Sequence, residues 1–206
     1  PVWKVKSPQP LHERILEAAG EAIAEEGVDA LRLDRVAREA GCSRSSLYRY
    51  FDTKDELIIA VLARRIEQMS ERIGIELADV TNPAEHVVMG MVRAVELARS
   101  DPHFAVLFSE PNSPTVVRIA GSALPRLLGS LVGSVLPSSE QRGWLPPGVP
   151  AEEAARWIVM VTVGLLTFDS ERAGDRDALI LYLERFLLPS LFGAGTWQRD
   201  REPGAP

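Results

Sequence analysis

Apolar residues recur at helical spacing along most of this chain, and the first clear case lies close to its beginning. One helix face is formed by Leu11, Ile15, Ala19 and Ile23, which follow one another every four residues. Gly27 marks the end of this helix, because glycine readily takes the left-handed conformation at a helix C-terminus. The pattern therefore predicts an amphipathic first helix that ends at Gly27.

Two shorter patterns follow and are separated by a tight turn. The second helix carries its apolar stripe at positions i, i+3, i+4 and i+7, namely Leu33, Val36, Ala37 and Ala40. Gly41 stops this helix, and Ser43 can cap the next one by accepting a backbone N–H. In the third helix Leu47 and Phe51 share a face, because they lie four residues apart. Residues 33–51 are therefore predicted to form a helix-turn-helix.

The outer face of the third helix is polar. Burial of Leu47 turns Ser45 and Arg49 outward, because successive helical residues are rotated by about 100°. Ser46 and Tyr48 lie on the flanks of that outer face. An arginine can bond a guanine edge with two hydrogen bonds, and serine and tyrosine hydroxyls can hold phosphates. This face therefore indicates contact with DNA.

The remaining helical patterns predict an all-α protein of about nine helices. Helices are expected over residues 54–78, 83–99, 115–136, 151–172 and 175–188, with a short helix through Phe104 and Phe108 and a loop at 137–150. The helix-turn-helix domain would occupy residues 10–53 and a larger helical domain residues 54–192. Residues 1–9 and 193–206 are expected to be flexible termini; the lysines near the beginning also allow a basic arm that follows DNA.

The last two helices are apolar on more than one face. Such a helix must bury more than one face, and in a chain of this size the remaining partner is a second copy of the chain. The sequence therefore predicts a two-fold, four-helix dimer interface. The residues assigned to it are Ile158, Thr162, Leu165, Leu166, Leu179, Leu183, Phe186 and Leu187.

The distribution of charge matters more than its total. The 206 residues carry a formal net charge of −6, which on its own argues against a nucleic-acid partner. Residues 32–54, however, contain six basic and three acidic side chains. A small basic surface on an acidic body suits a protein that touches DNA at one end only, because steering depends on the local potential.

The run from Ile15 through Leu57 resembles the DNA-binding domain of the TetR family of bacterial repressors. The resemblance is carried by Gly27, Val36, Ala37, Ala40, Gly41, Ser43, Leu47, Tyr48, Phe51, Lys54 and Leu57. Three residues depart from the family pattern. Arg32 stands where a threonine usually caps the second helix, Cys42 replaces a small aliphatic residue, and Ser45 stands where glycine is common.

The resemblance implies a homodimeric repressor that a small hydrophobic ligand releases from a palindromic DNA operator. The region from residue 54 to residue 192 would then bind the ligand and form the dimer. Base contacts are expected from Arg44, Ser45, Ser46 and Arg49, and phosphate contacts from Arg32, Tyr48, Tyr50 and Lys54. For Lys54 the alternative is a solvated side chain at a helix start. A constitutive DNA-binding or architectural dimer with no ligand is the alternative function, and family members can also activate.

Methionine and aromatic side chains suggest where a ligand would bind, because such side chains suit adaptable apolar sites. The candidates are Met69, Met89, Met91, Phe104, Phe108, Trp144, Trp157 and Met160. The alternative is that these side chains only fill the core.

Catalytic chemistry finds little support in the sequence. His12, His86 and His103 are scattered without metal-ligand spacing, and neither a GxSxG elbow nor a phosphate-binding glycine loop occurs. No enzyme, metal or cofactor is therefore expected. The single cysteine, Cys42, rules out an internal disulfide, and no apolar run approaches the about 20 residues that span a bilayer. With no signal peptide at the start, a cytoplasmic protein without membrane contact is expected.

Overall fold

The computed structural model describes residues 10–104, 145, 148–168 and 174–193. Within these residues the regular structure is helical throughout, with no strand. The helices are α1 (Leu11–Glu26), α2 (Leu33–Glu39), α3 (Arg44–Tyr48), α4 (Lys54–Glu76), α5 (Pro83–Ser100), α6 (Ala151–Phe168), α7 (Arg176–Tyr182) and α8 (Leu188–Phe192). The all-α prediction is confirmed. The helix predicted at 115–136 and most of the loop at 137–150 lie outside the described residues, so the total of about nine helices stays a prediction.

The chain divides into two compact units. The first contains Pro1–Arg65 with Pro102–Ala123, and the second contains Ile66–Asp101 with Leu124–Pro206. The division between Arg65 and Ile66 falls inside α4, whereas the sequence suggests a domain limit where that helix begins, at residue 54. Leu57, Ile58 and Val61 of the first half of α4 are buried, which is consistent with that half being part of the first unit. The predicted domain limits stay a prediction.

Helix α1 packs on α2, and α2 packs on α3. In the apolar stripe of α1, Ile15, Ala19 and Ile23 are buried and Leu11 is half-buried. Gly27 ends the helix as predicted, with a φ of 85° and its N–H bonded to the Ile23 carbonyl at 2.9 Å. Arg14 adds a tie between α1 and α2, because its Nε donates to the Ala40 carbonyl at 3.0 Å. These three helices hold the helix-turn-helix as one body.

In the second unit, α6 and α7 both pack against α5. Helix α5 begins after Asn82, whose side chain accepts the Glu85 N–H at 3.1 Å. Asp175 caps α7 in the same way, accepting the Ala178 N–H at 3.0 Å. Each cap satisfies a backbone donor that the first turn of a helix leaves without an intrahelical acceptor.

The last helical segment continues beyond its predicted end at Leu188. Helix α7 passes through a π-helical turn at Leu183–Leu187 into α8, which contains Pro189. The Leu188 N–H donates to the Leu183 carbonyl, five residues back. This wider turn changes the hydrogen-bond register just before Pro189. Proline has no backbone N–H, but because of the changed register its presence interrupts no α-helical hydrogen bond. The prediction that the helix stops at Leu188 was wrong for this reason.

An ionic network links α4, α5 and α7 within the second unit. The Arg93 Nε donates to Glu76 at 2.6 Å, its Nη1 pairs with Glu96, and Glu96 also pairs with Arg176. Hydrogen bonds from Arg93 lower the pKa of Glu76 to about 2. Burial disfavours the charged form of Glu96, yet the bonds from Arg93 and Arg176 still hold its pKa below the usual value.

Candidate DNA-binding site

The turn between α2 and α3 depends on the backbone conformation of Gly41. Its φ of 67° lies in the left-handed region, which residues with a Cβ seldom occupy. The Gly41 N–H donates to the Arg38 carbonyl at 3.1 Å, and the Cys42 N–H donates to the Ala37 carbonyl at 2.9 Å. Both bonds close the end of α2, so the chain turns sharply before α3.

Three serines surround the first turn of α3. The Ser43 Oγ accepts the Ser46 N–H at 3.1 Å, which confirms the predicted cap. The same oxygen lies 2.9 Å from the hydroxyls of Ser45 and Ser46. Because a hydroxyl has one donor and two acceptor positions, Ser45 keeps a free position on the exposed surface.

The orientation predicted for α3 is confirmed. Leu47 and Phe51 are buried, whereas Ser45, Tyr48 and Arg49 are exposed. Among the residues that the structure describes, the Arg49 side chain has no ion pair or side-chain hydrogen bond. A guanidinium in that position offers all five of its donors to an outside partner.

Arg44 is held from two sides. Its Nη1 lies 3.1 Å from the Asp34 carboxylate of α2, and its Nη2 donates to the Tyr48 hydroxyl at 3.3 Å. The guanidinium carbon also lies 5.5 Å from the centre of the Tyr48 ring. Sequence spacing shows that Arg44 and Tyr48 are one helical turn apart, but it does not reveal Asp34 as a partner from another helix.

Lys54 makes a contact that the sequence does not reveal. Its Nζ donates to the Asp29 backbone carbonyl at 2.6 Å and so ties the start of α4 to the loop after α1. A backbone acceptor leaves no sequence signal, because every residue carries one. The ammonium has two further donors, so this tie does not exclude a phosphate contact.

Arg32 precedes α2 as an exposed residue, and its side chain makes no capping hydrogen bond. The absence of the family threonine therefore leaves the first turn of α2 without a side-chain cap. The guanidinium remains exposed at the surface, where the predicted phosphate contact would occur.

Arg35 adds little to the basic surface, although it is one of the six basic residues counted in the sequence. Its guanidinium pairs with Glu25 and Glu26 of α1 and with Glu39 of α2, at 2.5 to 2.7 Å. Hydrogen bonds to Glu39 and Glu25 raise the pKa of Arg35 above its usual value. Two of these glutamates lie outside residues 32–54. Counting charges within that stretch therefore overestimates the positive charge that DNA would meet.

Tyr50 belongs to a small aromatic group at the start of α1. The His12 ring stacks on Phe51 with centroids 5.5 Å apart and lies 5.9 Å from the centroid of Tyr50. Tyr50 is about half exposed. The packing orients its ring, whose hydroxyl is one of the predicted phosphate contacts.

The predicted pocket residues do not share one environment. Met69, Met91 and Phe104 are buried and Met89 is half-buried. Trp157 and Met160 are 42% and 60% exposed, so the described residues do not enclose them. The remaining two candidates, Phe108 and Trp144, lie outside the described residues.

The residues predicted for the dimer interface are mostly part of the core of a single chain. Seven are buried, namely Ile158, Thr162, Leu165, Leu166, Leu179, Leu183 and Leu187, and only Phe186 is exposed. Both α6 and α7 pack against α5. A different set of large apolar side chains is exposed on α6, on α7 and in the π-helical turn, namely Trp157, Met160, Phe168, Leu181 and Phe186.

The described residues contain neither a membrane-spanning helix nor a metal site. None of their helices is both long enough and apolar enough to cross a bilayer. In the same part of the chain, no three histidine, cysteine, aspartate or glutamate side chains come together as a metal site would require.

The sequence is similar to those of known transcriptional regulators. Residues 15–61 match the family model for bacterial regulatory proteins of the tetR family. An uncharacterized HTH-type transcriptional regulator of Mycobacterium tuberculosis strain H37Rv is 30% identical over 170 residues, which cover 82% of this chain and 80% of the relative. These similar proteins are transcriptional regulators and not enzymes, as the sequence predicts.

Solved structures show the same fold. Thermus thermophilus FadR, a TetR family repressor in complex with lauroyl-CoA, matches with a TM-score of 0.58 and 23% identity over 95% of this chain and 98% of that chain. RolR in complex with resorcinol matches with a TM-score of 0.59 and 18% identity over 85% of this chain and 86% of that chain. Together with the sequence relatives, these findings confirm the resemblance: the chain belongs to the TetR family of bacterial transcriptional regulators.

Proposed function

We propose that this protein is a homodimeric repressor that binds a palindromic operator through α3 and leaves it when a small hydrophobic ligand binds. The observation that carries the DNA-binding part is the exposed face of α3, where Arg49, Ser45 and Tyr48 point away from the buried Leu47. The two α3 helices of a dimer enter successive major grooves, which lie about 34–36 Å apart.

Each residue of this face has a proposed role. Arg49 bonds a guanine edge, since its guanidinium has no partner among the described residues, and base edges are also contacted by Arg44, Ser45 and Ser46. Phosphates are held by Arg32, Tyr48, Tyr50 and Lys54, the last with the donors that Asp29 does not use. As a DNA-binding protein of this family it acts in the cytoplasm.

The dimer is supported by the exposed apolar side chains of the second unit. Monomeric proteins seldom expose large contiguous apolar patches, and aromatic residues and methionine are enriched where subunits meet. Trp157 is oriented for such a contact, because its Nε1 donates to the Ser190 Oγ at 2.9 Å while much of the ring stays exposed. We therefore assign the interface to Trp157, Met160, Phe168, Leu181 and Phe186 in place of the buried residues beside them.

The ligand class is inferred from the apolar side chains of the second unit and not from the structural neighbours. The two structural neighbours were solved with chemically different molecules, lauroyl-CoA and resorcinol, so likeness in fold selects no single compound. Buried Met69 and Met91 and half-buried Met89 give the second unit flexible apolar side chains, which suit an adaptable pocket. A hydrophobic ligand is the class that these side chains would accept.

Selection of bound duplexes from random DNA tests the proposal first. A palindromic sequence with two half-sites is expected, and failure to enrich any sequence would contradict specific DNA binding. Lauroyl-CoA and resorcinol then serve as probes in thermal unfolding, because a compound that binds only the folded state must raise its stability.

A compound that stabilises the protein should weaken operator binding, and the operator should weaken the compound by the same factor. Stabilisation with no change in operator affinity would overturn ligand control. It would favour the alternative of a constitutive DNA-binding dimer.

A further inference from the structure

Asp34 is one of the three acidic residues within residues 32–54 of the helix-turn-helix region. Asp34 is in the first turn of α2, yet its carboxylate lies 3.1 Å from Arg44, the first residue of α3. Arg44 in turn donates to Tyr48, one helical turn further along α3. The three side chains thus form a chain of contacts that runs from α2 across the turn to the exposed face of α3.

The ion pair contributes little to folding. The side chains of Arg44 and Asp34 are 62% and 68% exposed, and exposed pairs are worth only a fraction of the stability of a domain. Other contacts link α2 to α1, namely the pairs of Arg35 with Glu25 and Glu26 and the hydrogen bond from Arg14 to the Ala40 carbonyl. The first turn of α2 favours an acidic side chain through the helix dipole, but that preference does not require the contact between Asp34 and Arg44.

The pair does change how Arg44 can meet DNA. A lone guanidinium attracts any phosphate, whereas one held beside a carboxylate presents little net charge to a distant phosphate. The contacts from Asp34 and Tyr48 also restrict the guanidinium to one direction, and bidentate bonding to a base edge requires such a fixed plane. Hydrogen bonding to Tyr48 and the Asp34 charge together raise the pKa of Arg44.

We propose that Asp34 is a selectivity-determining residue: it positions Arg44 against Tyr48 and suppresses the attraction of Arg44 to phosphates, so that the protein favours its operator over other DNA. The inference rests on the proposed function, because it assumes that α3 binds DNA. Asp34 acts through Arg44 and is therefore a positioning residue.

The test compares binding to the selected operator and to a random-sequence duplex over a range of salt concentrations. Asp34→Asn should raise affinity for random DNA by about two- to fivefold per chain, the factor that an exposed ion pair allows. The salt dependence of random-DNA binding should steepen by about 0.9 per chain, the value for one more phosphate contact. Operator affinity should rise less, so the ratio of specific to random binding falls.

Two controls isolate the role of Arg44. Glu21→Gln removes the same charge from an exposed residue of α1 and should leave the ratio unchanged. In an Arg44→Ala background, Asp34→Asn should have no further effect. Asp34→Glu keeps the negative charge, so the ratio of operator affinity to random-DNA affinity should stay at that of the natural protein. It is the second variant to measure if Asp34→Asn does not fold.

The outcomes separate the inference from the proposed function. A natural protein that selects no DNA sequence would refute the function itself. If the protein binds its operator and Asp34→Asn changes neither the affinity for random DNA nor its salt slope, only the role of Asp34 is refuted. An equal rise in the Arg44→Ala background would show that the carboxylate acts on DNA directly and would overturn positioning through Arg44.

Discussion

Two surfaces of this regulator expose aromatic side chains, and their surroundings differ. Tyr48 and Tyr50, in and just after α3, are partly exposed beside Arg44 and Arg49. Trp157 and Phe186 of the second unit are exposed in a set of large apolar side chains that includes Met160, Phe168 and Leu181. The first surface offers hydroxyls and guanidinium groups, whereas the second offers hydrocarbon and one oriented indole.

The comparison shows that the neighbours of an exposed aromatic residue indicate its partner. Hydroxyl and guanidinium donors fit phosphates and base edges, which carry acceptors. Apolar rings and methionine gain most when another apolar surface removes them from water. The contrast supports the proposed roles, in which the surface of α3 binds DNA and the exposed apolar side chains of the second unit bind a second copy of the chain.

The largest effect is expected from Phe186→Glu. A carboxylate in an apolar interface loses its hydration without a partner, at a cost of several kcal/mol. The dimer dissociation constant should rise by at least about 100-fold, measured by sedimentation, and operator affinity should fall with it. Ile75→Glu is the matched control, since Ile75 is also exposed but lies on α4. A Phe186→Glu protein that remains a dimer would show that the apolar surface has another use.

The next effect concerns Arg49 on the polar surface. Arg49→Ala should cost about 1–3 kcal/mol of operator binding and relax the preference at one base position. Arg49→Lys keeps the charge but lacks the planar pair of donors, so it should restore affinity for random DNA and not the base preference. Equal losses on operator and random DNA for Arg49→Ala would remove its base-reading role.

Arg93 tests whether a paired arginine behaves differently from Arg49. Arg93→Met should lower the free energy of unfolding at pH 7 by about 1 kcal/mol and leave DNA affinity unchanged. The pKa of Glu76 falls from 4.5 to about 2 on folding, so its contribution is complete above the unfolded pKa and is lost as the pH falls toward 2. Urea unfolding from pH 7 down to pH 3 should show the natural protein and the variant converging. A difference that does not depend on pH would mean that packing, not charge, accounts for it.

The smallest effect is expected at Lys54, which has both a backbone contact and a proposed phosphate contact. Lys54→Ala should weaken all DNA sequences alike and reduce the salt slope by about one. Lys54→Gln keeps a donor for the Asp29 carbonyl but loses the charge. If Lys54→Gln binds DNA with an unchanged salt slope, the ammonium serves only to tie α4 to the loop after α1.

The local features of the site follow from short stretches of sequence. The spacing of Leu47 and Phe51 predicts which face of α3 is buried, and Ser43 and Gly41 predict the cap and the turn. These predictions hold because helix periodicity, capping and left-handed glycine depend on a few neighbouring residues. Such local reasoning fails at Pro189, where it predicts that the helix ends. The helix continues because the π-helical turn at Leu183–Leu187 changes the hydrogen-bond register before the proline.

Contacts between distant residues could not be predicted in this way. The apolar pattern of α6 and α7 predicts that more than one face is buried, but it does not show which face packs on α5. Ile158 and Leu179 lie in the core while Trp157 and Phe186 stay exposed. Likewise the sequence shows that Arg35 and Arg44 are basic, but only the structure shows that they pair with Glu25 and Asp34. Periodicity and caps are properties of a single helix, so the local sequence determines them. The partners of a side chain are determined only when helices pack, because packing brings together side chains that are far apart in sequence.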